Sequence, residues 1–155
     1  MKPAPFVIEE HVRWSDVDAA GIIFYGSYIR FIELAETELF RAAGMPYGEV
    51  FDRYDVLLPR VQVHTEFHYP ARLDDRLRMA VYFGKVGRTS LTLNFEAIHL
   101  GANRLAAHGY LVLACTERST LKPRSLPPEL VQLLRPYTLP VEAARAQLGL
   151  TGPRP

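Results

Sequence analysis

The sequence predicts an α+β domain in which a five-stranded antiparallel sheet wraps around one long helix. Three observations carry this prediction. Residues 27–43 are apolar at helical spacing over an unusually broad arc. Five other stretches alternate apolar and polar residues with a period near two. The last four of these are joined by turns too short for parallel crossovers, so they must form hairpins.

The first strand covers Phe6 to Trp14, where Phe6, Ile8, Val12 and Trp14 oppose Glu9, His11 and Arg13, and only Glu10 breaks the alternation. A polar turn, Ser15 to Gly21, leads towards the helix. Ser27 suits the N-cap, and Gly44 with Pro46 stops the helix at about Ala43. At 100° per residue, Tyr28, Phe31, Ile32, Ala35, Leu39, Ala42 and Ala43 share one arc, against a narrow polar stripe of Arg30, Glu33, Thr37 and Arg41. A helix with so little polar surface belongs inside the fold. Next, Val61, Val63, Phe67 and Tyr69 oppose Gln62, His64, Glu66 and His68. Leu77, Met79, Val81 and Phe83 form the third strand, and Leu91, Leu93, Phe95 and Ala97 the fourth. The fifth runs from Arg104 to Thr116. Turns fall at 70–75, 84–87 and 100–103.

Beyond Pro127-Pro128, Glu129–Leu134 suits a short helix, and the tail 151–155 is expected to be disordered. The 155 residues suit one domain, 1–155, with a core at about 6–120 and a C-terminal extension at 121–155. Twisted sheets curl, so the sheet is expected to wrap the helix. One helix leaves part of it uncovered, which predicts a homo-oligomer, a dimer or a tetramer, with the tetramer favoured.

Composition narrows the function. A net charge of +1 gives no global field to draw nucleic acid or an anionic membrane. The single cysteine, Cys115, lies in the apolar run 111–115 and reads as a buried core thiol, with no disulfide and no zinc motif. No leader pattern opens the sequence, and no run approaches the ~20 apolar residues of a membrane span, so a cytoplasmic protein is expected. Gly-x-Ser-x-Gly and phosphate-cradling glycine loops are missing, which disfavours serine hydrolases and nucleotide-driven enzymes. His64 and His68 share a strand face about 13 Å apart, too far to share a metal easily. His11, His99 and His108 show no partner in sequence.

The chemistry concentrates at 14–28. Asp16 and Asp18 sit in a turn that leads through an apolar run to a helix start. Gly21 permits positive φ or the close approach of a ligand, and Gly26 keeps the next approach open. The helix start offers unpaired N–H groups at a positive dipole end. A carboxylate beside such an end has the parts for acyl transfer: the acid attacks or activates water, and the amides stabilise the oxyanion. Capping and turn chemistry also place Asp-x-Asp before helices, so spacing alone leaves both readings open.

The stretch Asp16, Asp18, Gly21, Ile22, Ile23, Phe24, Tyr25, Tyr28 resembles the signature of the 4-hydroxybenzoyl-CoA thioesterase family, including its Tol-Pal-associated members. Glu33-Leu34-Ala35-Glu36 stands where that family has Glu-x-Ala-Arg, and Pro70-Ala71 with Asp75 matches a later motif. The resemblance covers roughly residues 6–120. It implies a hotdog fold and an acyl-CoA thioesterase with no cofactor beyond the coenzyme A of its substrate. It also implies that Asp18 is the catalytic carboxylate, as nucleophile or general base, and that the backbone N–H near Tyr25 polarises the thioester carbonyl. Gly21 and Phe24 would line the substrate, and Asp16 would orient the turn. Two departures stand out. Tyr25 replaces the His of many relatives, which leans towards aromatic or other non-short-chain acyl groups. Glu36 replaces the helix Arg and, at the edge of the apolar arc, needs a partner; an interface ion pair is the expectation.

Coenzyme A carries phosphates, so basic residues are needed near strand ends. Gly87-Arg88-Thr89-Ser90 offers a guanidinium and two hydroxyls and resembles the family's basic-Ser segment, while Arg118, Lys122 and Arg124 form a second basic cluster. Both also read as solvated loops. The alternative functions are a non-catalytic acyl-CoA-binding module on the same fold and a hotdog dehydratase. The presence of Asp18 and Gly21 argues against the first, and the lack of an Asp/His constellation against the second.

Overall fold

A computed structural model describes residues 2–150. Its sheet has the order β1-β4-β5-β6-β3, antiparallel throughout, with β1 Phe6–His11, β3 Arg60–Phe67, β4 Arg76–Val86, β5 Ser90–His99 and β6 Arg104–Ala114. β4-β5 and β5-β6 are the expected hairpins, while β3 pairs with β6 and the expected β3-β4 hairpin does not form. The helix α1, Tyr28–Ala42, packs on one face. It buries Tyr28, Phe31, Ile32, Ala35, Leu39 and Phe40 against Leu77, Met79, Val81 and Phe83 of β4 and Leu91, Leu93 and Phe95 of β5. The alternation of period two on the strands and 3.6 on the helix therefore meet in one core, as the sequence predicts.

Several boundaries move. β1 stops at His11, because Asp75 draws the chain away by accepting the Val12 N–H, and Trp14–Asp16 form a 3-10 turn that leaves Trp14 80 % exposed rather than in the core. Ser27 does not cap α1. It is already helical, as the end of a 3-10 turn Tyr25–Ser27, and its hydroxyl donates to Asp16 O at 2.9 Å. Ala42 lies on the exposed side of α1. β4 runs through the expected 84–87 turn to Val86, accommodating it with a register shift between Phe83 and Lys85.

Sequence periodicity missed α2, Tyr47–Tyr54, and the two-residue pair of β2, Val56–Leu57, with β7, Thr116–Glu117. These are too short for a periodic signal. The C-terminal segment supplies α3, Pro128–Leu134, near the predicted Glu129–Leu134, and α4, Val141–Gln147. Leu130 and Leu134 of α3 join the main core, while α4 covers Tyr82 on the outer sheet face. The predicted tail 151–155 lies outside the described residues.

β3 is the bare edge of the sheet. One side pairs with β6, the other pairs with nothing among the described residues, and Val61, Val63 and Phe67 stand exposed on it, Val63 by 51 % and Phe67 by 53 %.

Candidate active site

Asp16 fastens the turn to the helix. Its carboxylate accepts the Arg13 N–H at 2.7 Å and Arg30 Nε at 2.8 Å, with a second guanidinium contact, and its carbonyl accepts the Phe24 N–H at 2.7 Å. It is 2 % exposed. Burial opposes its ionisation, but the Arg30 guanidinium and the Arg13 amide outweigh burial and hold the carboxyl below the usual range. The sequence placed Arg30 only on a polar stripe. A base in the first turn of a helix opposes the dipole, and that was the available signal that Arg30 needed acidic partners. Glu10 is the other, at 3.3 Å.

With Asp16 anchored, the chain reverses over Asp18–Gly21. Gly21 N–H donates to Asp18 O at 2.9 Å and Asp18 N–H to Ile22 O at 3.1 Å, and Gly21 takes φ +76°, the first of the two roles the sequence allowed it. Asp18 Oδ1 accepts the Ala20 N–H at 2.8 Å, so its turn role is real. The rest of the carboxylate is exposed and makes no ion pair among the described residues.

Asp18 lies between two cavities. The first, about 350 Å³, is lined by Asp18, Ile22, Tyr25, Tyr28, Phe67 and His68 among others. The second, about 530 Å³, is lined by Trp14, Asp18, Gly21 and Leu73 among others. Tyr25 and Gly26 open the 3-10 turn at the helix entrance, positions whose N–H groups find no acceptor within the turn itself. At Gly26 a Cβ would come within 2.8 Å of the Phe24 ring, so a larger residue there would displace that ring from its packing on Tyr25. Phe24 packs on Tyr25 with ring centroids 4.4 Å apart. Burial pushes the Tyr28 phenol up to about 12, so it stays neutral at the cavity wall. Tyr28 belongs to the signature read from the sequence, whereas Phe67 and His68 were not assigned to this site by sequence, because only the packing of the β3 end against α1 brings them to Asp18.

Arg88, Thr89, Ser90 and Lys122 are not brought to Asp18 within one chain. They lie at the opposite end of the sheet, past the far end of β4, a strand about 33 Å long. Arg88 donates to Ser125 Oγ at 3.2 Å, while the Arg88 and Thr89 carbonyls accept from Leu126 and Cys115.

Glu36 is 4 % exposed and pairs with Arg60 of the same chain, so the ion pair expected at a subunit interface is internal. Burial pushes its carboxyl above the usual range, partly offset by Arg60. Arg60 also donates to Tyr47 Oη at 2.5 Å and Leu58 O at 2.9 Å. This cluster lines a third cavity of about 440 Å³, beside α1 and β3.

The histidines are less isolated than the sequence implied. Cross-strand register sets Glu66 opposite His108, and His68 Nε2 lies 2.7 Å from His108 Nδ1. His99 contacts Asp75 at 2.9 Å. No group of three or more among the described residues is arranged to hold a metal ion, and no described helix is long and apolar enough to cross a membrane. Cys115 is buried, as expected.

Residues 12–134 match the thioesterase-like superfamily. The chain is 29 % identical over 125 residues to the acyl-CoA thioester hydrolase YbgC of Escherichia coli O157:H7, covering 77 % of this chain and 88 % of that one. It is 24 % identical over 139 residues to the 1,4-dihydroxy-2-naphthoyl-CoA hydrolase of Nostoc punctiforme, covering 90 % and 93 %. Its fold is shared with a 1,4-dihydroxy-2-naphthoyl-CoA thioesterase from Synechocystis, at a TM-score of 0.78 and 19 % identity over 84 % of this chain and 96 % of that one. A DHNA-CoA thioesterase from Staphylococcus aureus has the same TM-score, at 18 % identity over 96 % and 97 %. With most of its length matched and the helix-filled antiparallel sheet in place, the chain belongs to the thioesterase-like superfamily and has its hotdog fold.

Proposed function

We propose that the protein hydrolyses acyl-CoA thioesters, giving a carboxylic acid and free coenzyme A, with Asp18 as the reacting carboxylate. One observation carries this reading: Asp18 and the helix entrance at Tyr25 line the same cavity. A thioester carbonyl lying there would have its oxygen on the Tyr25 and Gly26 amides, where negative charge develops. Asp18 would attack the carbonyl carbon or draw the proton from an attacking water. No cofactor is needed for either route. The cavities on its two sides would hold the acyl group and the pantetheine arm, with Gly21 at the wall of the second; Phe24 lines neither and acts only through its packing on Tyr25.

The working unit is a homo-oligomer built on a dimer joined through β3, and a tetramer on a further face. The bare, apolar edge supports this, since exposed edges invite pairing. Antiparallel pairing of two copies would set the Phe67 end of one β3 against the Arg60 end of the other. That is the end of the sheet where Ser90 pairs with Ala114, so the partner's Arg88, Thr89, Ser90 and Lys122 would approach the Asp18 cavity and meet the phosphates. In this reading one domain spans the chain, with 121–155 as an extension, and the protein works in the cytoplasm.

The test is release of free thiol from aromatic, short and long acyl-CoAs. Asp18→Asn should keep the fold and lower turnover by at least ~10²-fold. Unchanged turnover removes Asp18 from the mechanism. Tight binding of acyl-CoA by the unaltered protein, with no thiol released, favours the non-catalytic binding module instead.

A further inference from the structure

The Asp18 cavity and the Glu36–Arg60 cavity follow one another along α1 and β3, with no lining residue in common. Tyr28 and Phe67 line the first, and Ile29, Ile32 and Val63 line the second. Val63 and Phe67 fall on one face of β3, and Tyr28, Ile32 and Glu36 on one side of α1. From Tyr28 to Glu36 the helix rises about 12 Å, the reach of an extended chain of roughly ten carbons.

The walls of the far cavity are apolar, from Ile29, Ile32, Val63 and Leu111, but its end is not. Arg60 has five N–H donors. Three are engaged, by Tyr47 Oη, Leu58 O and Glu36. The Nε–H and one Nη2–H have no acceptor among the described residues. Glu36 neutralises the guanidinium, and Glu33 on the cavity wall adds negative charge, so a second carboxylate is unwelcome there. A neutral acceptor oxygen suits both spare donors. A plain hydrocarbon end would strip their water and offer nothing in return.

We propose that the two cavities join into one groove for the acyl group of the substrate and that Arg60, held by Glu36 and Tyr47, is a specificity residue for acyl groups with a neutral acceptor oxygen, a hydroxyl or keto group, at the end remote from the thioester. The proposal rests on the thioesterase reading and deepens it. It also gives the departure at Glu36 a purpose: the carboxylate sets the charge and orientation of Arg60, which a helix arginine could not do.

Thiol release from matched pairs tests it: decanoyl-CoA against 10-hydroxydecanoyl-CoA, with butyryl-CoA against 4-hydroxybutyryl-CoA as the length control. The ratio of kcat/KM within a pair is independent of the fraction of protein folded. The unaltered protein should prefer the ten-carbon hydroxyacyl member by about tenfold, equivalent to about 1.4 kcal/mol, and show no preference in the four-carbon pair. Arg60→Met should bring the ten-carbon ratio to one or below. The doubly substituted Glu36→Met, Arg60→Met protein, which leaves no lone buried charge, should do the same. A ten-carbon ratio near one in the unaltered protein, or a ratio that survives both variants, overturns the proposal. Thiol release without preference leaves the thioesterase reading standing, whereas no thiol release from any acyl-CoA sinks both.

Discussion

Replacing Asp16 by Asn separates the two acids of the turn by their physics. Asp16 is a buried anion with an ion pair to Arg30 and an amide donor from Arg13. Breaking a buried pair by removing one partner costs about 3–5 kcal/mol. Here the Arg30 side chain is one-third exposed and keeps Glu10 at 3.3 Å, so solvent and the second acid absorb part of that loss. We expect about 2 kcal/mol, which for a domain of this size lowers Tm by about 4–8 °C. The pH dependence has a definite sign. The folded-state carboxyl of Asp16 is depressed, so its stabilisation is complete above the unfolded pKa of about 3.9 and fades as pH falls through the lower folded value. The gap between the unaltered protein and the variant should therefore be full at pH 7 and shrink below about pH 4. Thermal and urea unfolding across pH measure it, with thiol release measured in parallel, because a loosened turn misplaces Asp18. A variant as stable as the unaltered protein at pH 7, or a gap that does not change on acidification, would refute the anchoring role.

Asp18→Asn should behave in the opposite way. That carboxylate is exposed with one local hydrogen bond, so urea unfolding should move by no more than about 0.5 kcal/mol while turnover collapses. Glu36→Gln strands much of the Arg60 charge and should cost roughly 1–3 kcal/mol, whereas replacing Glu36 and Arg60 together by Met should restore most of that stability in the same unfolding assay. Gly21→Val forces a β-branched residue to φ +76° and should cost about 1–2 kcal/mol of stability, with thiol release falling alongside it. Val63→Lys on the bare edge should shift sedimentation from oligomer towards monomer with little change in the Tm of the chain itself, and a persisting oligomer would remove β3 from the interface.

The fold was legible because each long element carries its own period. The α1 arc and the strands from β3 to β6 need no knowledge of their neighbours to be read. α2 was not legible, since eight residues capped by Pro46 and ended by a left-handed Asp55 make too few turns to show an arc. The turn 14–28 gave up Asp18, Gly21 and Tyr25 through motif and backbone chemistry. What it withheld was tertiary. Phe67 and His68 reach the cavity from a strand some fifty residues away, and the Glu36–Arg60 and His68–His108 contacts depend on register. Arg88 and Ser90 show the converse: their residue types suit phosphates, but type alone could not reveal that the sheet carries them away from Asp18 in their own chain.

The two margins of the sheet are unequal. The entry to β1 is guarded: Pro3 and Pro5 lack amide hydrogens, Ala4 donates to Pro136 O, Gln147 reaches across to Pro3 O, and within the strand Glu9 is held by Arg76 and Arg78 of β4. Among the described residues, the opposite margin, β3, has no such guard and carries exposed Val61, Val63 and Phe67. In the proposed dimer a union of two such margins about a twofold axis uses up both and presents the β1 margins outward, so strand-by-strand growth would have to start beside Pro3 and Pro5. This asymmetry favours one partner over a third in line, and it would let the polypeptide keep a naked apolar ribbon without seeding a fibre.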